Sequence, residues 1–541
     1  MPRHRNFSSR GRMRFFGTGV GLLALCLVGC GGGGGGGAPS TGGGAPPVGQ
    51  AVAGSADSRS LASKAGFSDD DIRHFLRRTH FSVEPGKVAS VQSVGLELYI
   101  DQMLEFPVLG SQSFEAEAAL LLADEDDPAG QEGKFPSRSD ITSWNISLLM
   151  NNPNAFQEVM GMFWQDHFGV NVTELDSDEH HLMVNFINLL RDRGVGNFRN
   201  LMVDVSRHGA MQVFLDGANN NKFAPNENYA REFWELFTLG VDNGYTENDI
   251  IEASRAFTGW RRQYSPATGL TQIVYDPENK AVGSKAPLGM PIMHDLSKDD
   301  YATMVDLTFS LQDDSGTSRV AKFLSHKLLT YFVQQSPDQE LVNRVAAELL
   351  ANNMNLAPVL KTLFLSDAFY SDASREGLVR DFYEQVVGLV RTTGLTESSW
   401  VYRSYLDNMN SLPAQPPSVE GWPEGDDKIT AQGTGIELPN FVNELITNRR
   451  DQNDAGYDIG SVLQPENATG PAEVIDHVAE LLGVELDATE HAELVAFMNV
   501  QVDRDGEETP LTYTPQNEDH QNRKLRNLLW ILCQHPSFQI K

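Results

Sequence analysis

The sequence predicts a mainly α protein, a large multi-helical body with at most a few short strands, and three observations carry that expectation. Apolar residues recur every three to four positions in one segment after another, the spacing that gives a helix a single apolar face. Acidic residues precede several of these runs, where the positive end of the helix dipole favours them. Strand-like alternation is scarce, and "TQIVYD", Thr271 to Asp276, is the best strand candidate.

Along the chain, "DDDIRHFLRRTHFS" repeats apolar residues at Ile72, Phe75, Leu76 and Phe81, and "GLELYIDQMLEF" does so at Leu96, Leu98, Ile100, Met103 and Leu104. The same periodicity predicts helices in "AFQEVMGMFWQDHFGV", "HHLMVNFINLLRDRG", "FRNLMVDVSRHGAMQVFLDG", "RVAKFLSHKLLTYFV", "ELVNRVAAELLANN", "APVLKTLFLSDAFY", "VRDFYEQVVGLVRTTG", "PAEVIDHVAELLG" and "RKLRNLLWILCQH". The segment Asn219 to Trp260 reads as a helical hairpin. Pro225 fits the first turn of its first helix and Gly240 that helix's stop, while Thr246 with Asp249 forms a capping box for a second helix ending near Gly259.

The opening "MPRHRNFSSRGRMRFFGTGVGLLALCLVGC" carries five arginines, then an apolar run too short to span a bilayer, then a cysteine after small residues. This is the pattern of a bacterial lipoprotein signal over residues 1–29, with Cys30 as the lipidated residue and the membrane as a partner through it. Gly31 is not Asp, the usual inner-membrane retention residue, so the expected location is the outer membrane, facing the periplasm or the surface. Residues 30–63 form a Gly/Pro/Ser-rich tether, and residues 64–541 are the helical body. Formal charge is −31, and losing the signal removes five arginines and no acids. A body this acidic has no cation surplus to displace phosphate counterions, which excludes nucleic acid as a partner class. Cys26 leaves with the signal, so Cys533 has no partner for an intramolecular disulfide.

The hairpin holds an unusual density of charge beside apolar residues. Glu227, Arg231 and Glu235 share a stripe of its first helix, next to Phe233, Leu236 and Phe237, and Glu232 lies among them. On the second helix Asp249, Glu252 and Arg255 lie beside Ile250, Ile251 and Phe257. Two arginines cannot neutralise five acids, and a partly buried carboxylate is costly unless it takes a proton, a metal or further donors. Either these groups form a satisfied salt-bridge lattice or the seven are candidate catalytic residues in a polar cleft.

These residues also carry a resemblance. "HGAMQVFLDGANNNKFAPNENYAREFWELFTLGVDNGYTENDIIEASRAFTGW" resembles the signature of the bacterial DUF1800 family, with its Pro-Asn-Glu-Asn-Tyr-Ala-Arg-Glu core. "IRHFLRRTHFSVEPGKV" is similar to the family's N-terminal helix, "MFWQDHFGV" to its Phe-Trp-His-Asn-His-Phe stretch, "MHDLSKD" to its Phe-His-Asp segment and "QPPSVEGWPEG" to its Pro-Pro-x-Val-x-Gly-Trp turn. The chain departs from the pattern at Gln165 and Asp166, where the family has His and Asn, at Gly217, where it has Asn, and in an extended segment after Trp422. The resemblance implies no activity. It does imply a possible partner class, because genes of the family neighbour a second family that resembles secreted sulfatases.

His167, His208, His294 and Asp295, with the hairpin carboxylates, are the candidate ligands for a divalent cation, although no pair has the spacing of a zinc helix or a di-iron bundle. Asp216 to Glu227 echoes a calcium loop with Ala218 and Asn221 at positions that want an oxygen ligand and a glycine. No Gly-x-Ser-x-Gly elbow and no phosphate-cradling Gly-rich loop occurs. The functional expectation is an envelope enzyme, a metal-dependent or acid–base hydrolase. The alternative is a non-catalytic assembly or binding lipoprotein working with a co-exported partner.

Overall fold

Helical periodicity translates directly into helices in the computed structural model, which describes residues 57–106, 136–293, 295–375, 377–395, 397–431, 434–447, 459–465, 467–502 and 507–541. The expected signal, Cys30, the tether to residue 56 and His294 lie outside the described residues. Among the helices are Asp69–Thr79, Leu96–Leu104, Ala155–Phe168, His180–Arg193, Arg319–Phe332, Gln339–Ala351, Leu356–Leu365, Phe382–Thr393, Pro471–Leu482 and Arg526–Leu532. Their ends follow local chemistry. Ser68 and Asp71 exchange side-chain and backbone hydrogen bonds in a capping box at the start of Asp69–Thr79, and Arg77 and Arg78 fall in its last turn, where the dipole favours cations. The architecture is mainly α.

The run "FRNLMVDVSRHGAMQVFLDG" divides into Phe198–Arg207 and Gly209–Phe214. His208 takes extended backbone between them, and its Nδ1 accepts a hydrogen bond from the Ala210 amide at 3.2 Å, capping the second helix. The first hairpin helix is shorter than expected, Asn228–Glu235, with Pro225 ahead of it and Gly240 beyond its end at φ 91°. Its partner, Glu247–Ala256, begins with the expected Thr246–Asp249 capping box. The strand Leu270–Tyr275 pairs antiparallel with Trp260–Ser265, in register Trp260 to Tyr275 through Ser265 to Leu270. The sequence "WRRQYS" of the first strand hides it, because its charged residues break the apolar alternation. A second short pair joins Val500–Val502 to Glu508–Pro510.

Buried apolar residues form one cluster that reaches from Ile72 to Phe538. Its axis is Ala155–Phe168, buried on nearly every face, whose Phe156, Trp164 and Phe168 are fully enclosed. Each such aromatic contributes about 1.5–3 kcal/mol through burial. The Trp164 indole N–H donates to the Gly194 carbonyl at 2.8 Å, so no polar atom is stranded by that burial. Among the described residues no helix is long and apolar enough to cross a membrane.

Candidate functional site

Arg231 is the hub of the hairpin's charges. Its guanidinium lies 3.5 Å from Glu227, 3.4 Å from Glu235 and 2.5 Å from Glu247 of the second helix. Side-chain exposure runs from 23% at Glu235 to 64% at Glu247, which makes these surface pairs, each worth about 0–1 kcal/mol. Arg255 donates to both oxygens of Glu252, and Glu252 also accepts from the Ala286 amide at 3.0 Å. Asp249 closes its capping box and accepts from the Leu288 amide at 2.7 Å. The lattice therefore pins the hairpin to the 286–288 loop. Glu232 differs: among the described residues it makes no ion pair, and burial, then Glu235, holds its carboxyl above the usual range.

The metal candidates lie apart. His167 is buried among Phe163, Trp164, Phe168, Phe198 and Phe237, and its Nε2 lies 3.1 Å from the Phe237 carbonyl. Burial pushes its pKa down to about 3. His208 is the helix cap described above, with burial pushing it down to about 4. Asp295 accepts from the Ser297 amide and hydroxyl at 2.9 and 2.6 Å. In the calcium-like stretch, buried Asn220 donates to the Ser254 carbonyl and accepts from the Asn226 amide, which ties the loop to the hairpin. Among the described residues no three His, Cys, Asp or Glu side chains converge as a metal-sized group.

A polar cleft lies elsewhere, beside the last turn of Ala155–Phe168. That turn, Arg319–Phe332, the start of Phe382–Thr393 and the segment 422–428 enclose a cavity of about 50 Å³ whose walls include Asp166, Lys327, Tyr331, Asp381, Tyr383 and Lys428. None of the seven hairpin candidates lines it. The turn at Gly421 seals one side. Gly421 has φ 95°, and a Cβ there would fall 2.3 Å from Asp166 Oδ1 and 2.5 Å from the Asp166 carbonyl. Glycine's missing side chain lets the Trp422 amide donate to Asp166 Oδ1 at 2.7 Å. Across the cleft, Asp381 caps Phe382–Thr393 in a box with Glu384. Lys428 meets Asp381 at 2.7 Å, Lys541 meets Glu384, and Lys327 meets Glu424 at 2.7 Å. The Tyr331 and Tyr383 hydroxyls are 3.3 Å apart.

Pairing separates Asp166 from the other acids. Asp381, Glu384 and Glu424 each have a lysine, whereas among the described residues Asp166 has no cation within ion-pair distance. Burial therefore pushes the Asp166 carboxyl up to about 7; the Trp422 N–H bond and Lys327 pull it down, and Asp381 pushes it further up. Burial acts on Glu384 in the same sense, but Lys541 and Lys428 outweigh it and hold that group below the usual range. Half-buried Tyr331 and buried Tyr383 are held well above the ordinary phenol value by desolvation and stay neutral donors. Burial also raises the Asp381 carboxyl, against the pull of Lys428. The cleft thus offers in Asp166 a carboxyl able to take or give a proton near neutral pH, beside two hydroxyls and fixed ammonium groups.

The cleft joins two of the motifs quoted above, "MFWQDHFGV" and "QPPSVEGWPEG", through the bond from Trp422 to Asp166. A family model described as "Protein of unknown function (DUF1800)" matches residues 74–540. The chain belongs to this family. No curated protein and no solved structure matches it. Within the DUF1800 pattern, Asp166 stands where the motif has Asn, and Lys428 lies in the extended segment after Trp422, so the cleft's titrating acid and one of its cations occupy points of departure. Gln165, the other departure in that motif, is a buried brace that accepts from Asn145 and from the Ala414 amide, each at 2.9 Å. Lys327, Tyr331, Asp381, Tyr383 and Lys428 were not legible as a site because they lie far apart in sequence, on segments whose pattern shows only an apolar helix face or an extended loop. The substitution at Asp166 was the one available signal.

Proposed function

We propose that this DUF1800 chain is an exported, lipid-anchored envelope protein whose working part is the Asp166 cleft, where Asp166 acts as the proton-exchanging group in hydrolysis of a polar substrate. The observation that carries the reading is a half-buried carboxyl with no cation at ion-pair distance among the described residues, pushed up to about 7, facing a cavity beside two neutral hydroxyls and Lys327. A general acid–base group works best when its pKa lies near the working pH. At about 50 Å³ the cavity admits one functional group of a substrate or a few waters, so the rest of the substrate would lie outside it.

The test is turnover of ester, amide, glycoside and sulfate-ester probes by the mature chain across pH. Turnover with a limb near pH 7 that disappears in Asp166→Asn supports the reading; turnover unaffected by the substitution overturns it. The divalent cation expected from sequence is tested by metal analysis of protein purified without chelator. Because His208 caps a helix and Glu227 sits in a surface lattice, His208→Ala and Glu227→Gln should leave any metal content unchanged. The anchor rests on the lipoprotein pattern ending at Cys30, and fatty-acid analogue labelling that survives Cys30→Ser would refute it. The non-catalytic alternative has one observation in its favour: the hairpin's Arg–Glu pairs are mutually satisfied, as a structural element requires.

A further inference from the structure

A wider cavity, about 490 Å³, opens where Asp69–Thr79 meets Arg375, the loop after Pro471–Leu482 and the 535–541 segment. That volume lies within the range of small-molecule sites, roughly 300–1,000 Å³. Besides the buried, neutral His74, four basic side chains stand in its wall with the carboxylates of Asp70 and Glu485, and three of the four are already engaged. Arg375 pairs with Asp70 and Asp71, Lys541 with Glu384, and His535 lies 3.3 Å from Glu490. Arg77 is the fourth. Among the described residues it makes no hydrogen bond and no ion pair, in a chain with 73 acids against 42 lysines and arginines. Asp70 and Glu485 act on it only from beyond contact, while Arg73 and Arg375 repel it.

The guanidinium lies against the end of a neighbouring helix. Pro471–Leu482 ends at Gly483, whose φ is 72°, and a Cβ on that residue would fall 2.7 Å from Arg77 Nε and 2.8 Å from its Cζ. A side chain there would require a backbone conformation that L residues rarely adopt, and its Cβ would push the flexible end of Arg77 aside. The fold therefore holds a guanidinium with no contact partner among the described residues, a fork of N–H donors whose geometry suits two-point contact with a planar or tetrahedral oxyanion, at the edge of a cavity of ligand size.

We propose that this cavity binds a small molecule bearing an oxyanion, a carboxylate or a phosphate, through two-point hydrogen bonding from Arg77. The site adjoins the Asp166 cleft, with Lys541 in the wall of both, but it is built on Arg77 and does not rest on the assignment of Asp166. The experiment is isothermal titration of the mature chain with inorganic phosphate and with succinate, against chloride at matched ionic strength. At least one of the two oxyanions should bind, the responding one identifying which group the site takes. Binding should weaken about tenfold or more in Arg77→Gln, equivalent to about 1.4 kcal/mol, and stay unchanged in Asp166→Asn. Arg77→Lys keeps the charge and loses the fork, so it too should bind more weakly. Absence of phosphate and succinate binding in the wild type overturns the proposal, as does wild-type affinity in Arg77→Gln. Should Arg77→Gln fail to fold, wild-type affinity in Arg77→Lys overturns it.

Discussion

The 228–256 hairpin and the Asp166 cleft are both rich in charge, and they differ in depth and in pairing. In the hairpin Arg231 serves three carboxylates at a partly exposed surface, where water screens the attraction and side-chain entropy opposes it. In the cleft Asp381 and Glu384 are 4% and 3% exposed, so each must be matched by a lysine at contact distance. One acid there, Asp166, is not matched. Charge density along a sequence therefore marked a surface lattice, whereas the candidate site is marked by a single half-buried acid that has no cation at ion-pair distance among the described residues.

The comparison breaks first at Glu384. Replacing it by Ala leaves Lys541 without its buried ion-pair partner and removes the capping box. The expected loss is about 3–5 kcal/mol, read from a urea or thermal melt. A loss no larger than that of a hairpin variant would mean that depth does not separate the two regions. Gly421→Ala comes next. The new Cβ must push the turn off Asp166, and the expected cost is about 1–3 kcal/mol from strain at positive φ and loss of the Trp422 bond. That bond favours the ionised acid, so the same variant should raise the Asp166 pKa above about 7. The smallest effect belongs to Glu235→Gln. Arg231 keeps Glu227 and Glu247, so a thermal melt should show a change within about 0.5 kcal/mol. A drop of several degrees would show that the lattice is worth more than a surface network.

The helices were legible because burial on one face imposes a period of 3.6 on apolar residues, and Ile72, Phe75 and Leu76 display it within five positions. The capping box at Thr246 was legible for the same reason, since its two partners are three residues apart. The strand Trp260–Ser265 was not, because its residues are half-buried or exposed and carry two arginines. The helix break at His208 was hidden too, since an extended residue between two apolar faces leaves the periodicity nearly intact. The cleft was legible only in fragments. Two of its motifs were visible as motifs, yet that Asp166 touches Trp422 and faces Asp381 depends on how helices far apart in sequence pack. Pairing at depth is a tertiary property, and no local spacing encodes it.

At the centre stands Asp166, half-buried in the cleft, with no cation at ion-pair distance among the described residues and a carboxyl pushed up to about 7. That state is tested most directly by the stability of the wild type relative to Asp166→Asn as a function of pH. An acid whose folded pKa is raised contributes stability that is fully present below its ordinary value of 3.8 and is lost as pH rises through about 7. Asparagine has no such dependence. The wild type should therefore fall relative to the variant between pH about 4 and about 7, by roughly 2–4 kcal/mol in all, at a slope of at most about 1.4 kcal/mol per pH unit. Above that range the difference should be constant. A difference that stays flat from pH 4 to 8, roughly the window that a carboxyl raised by three units would cross, would contradict the account, because it would place Asp166 with the ordinary, solvated acids of the surface.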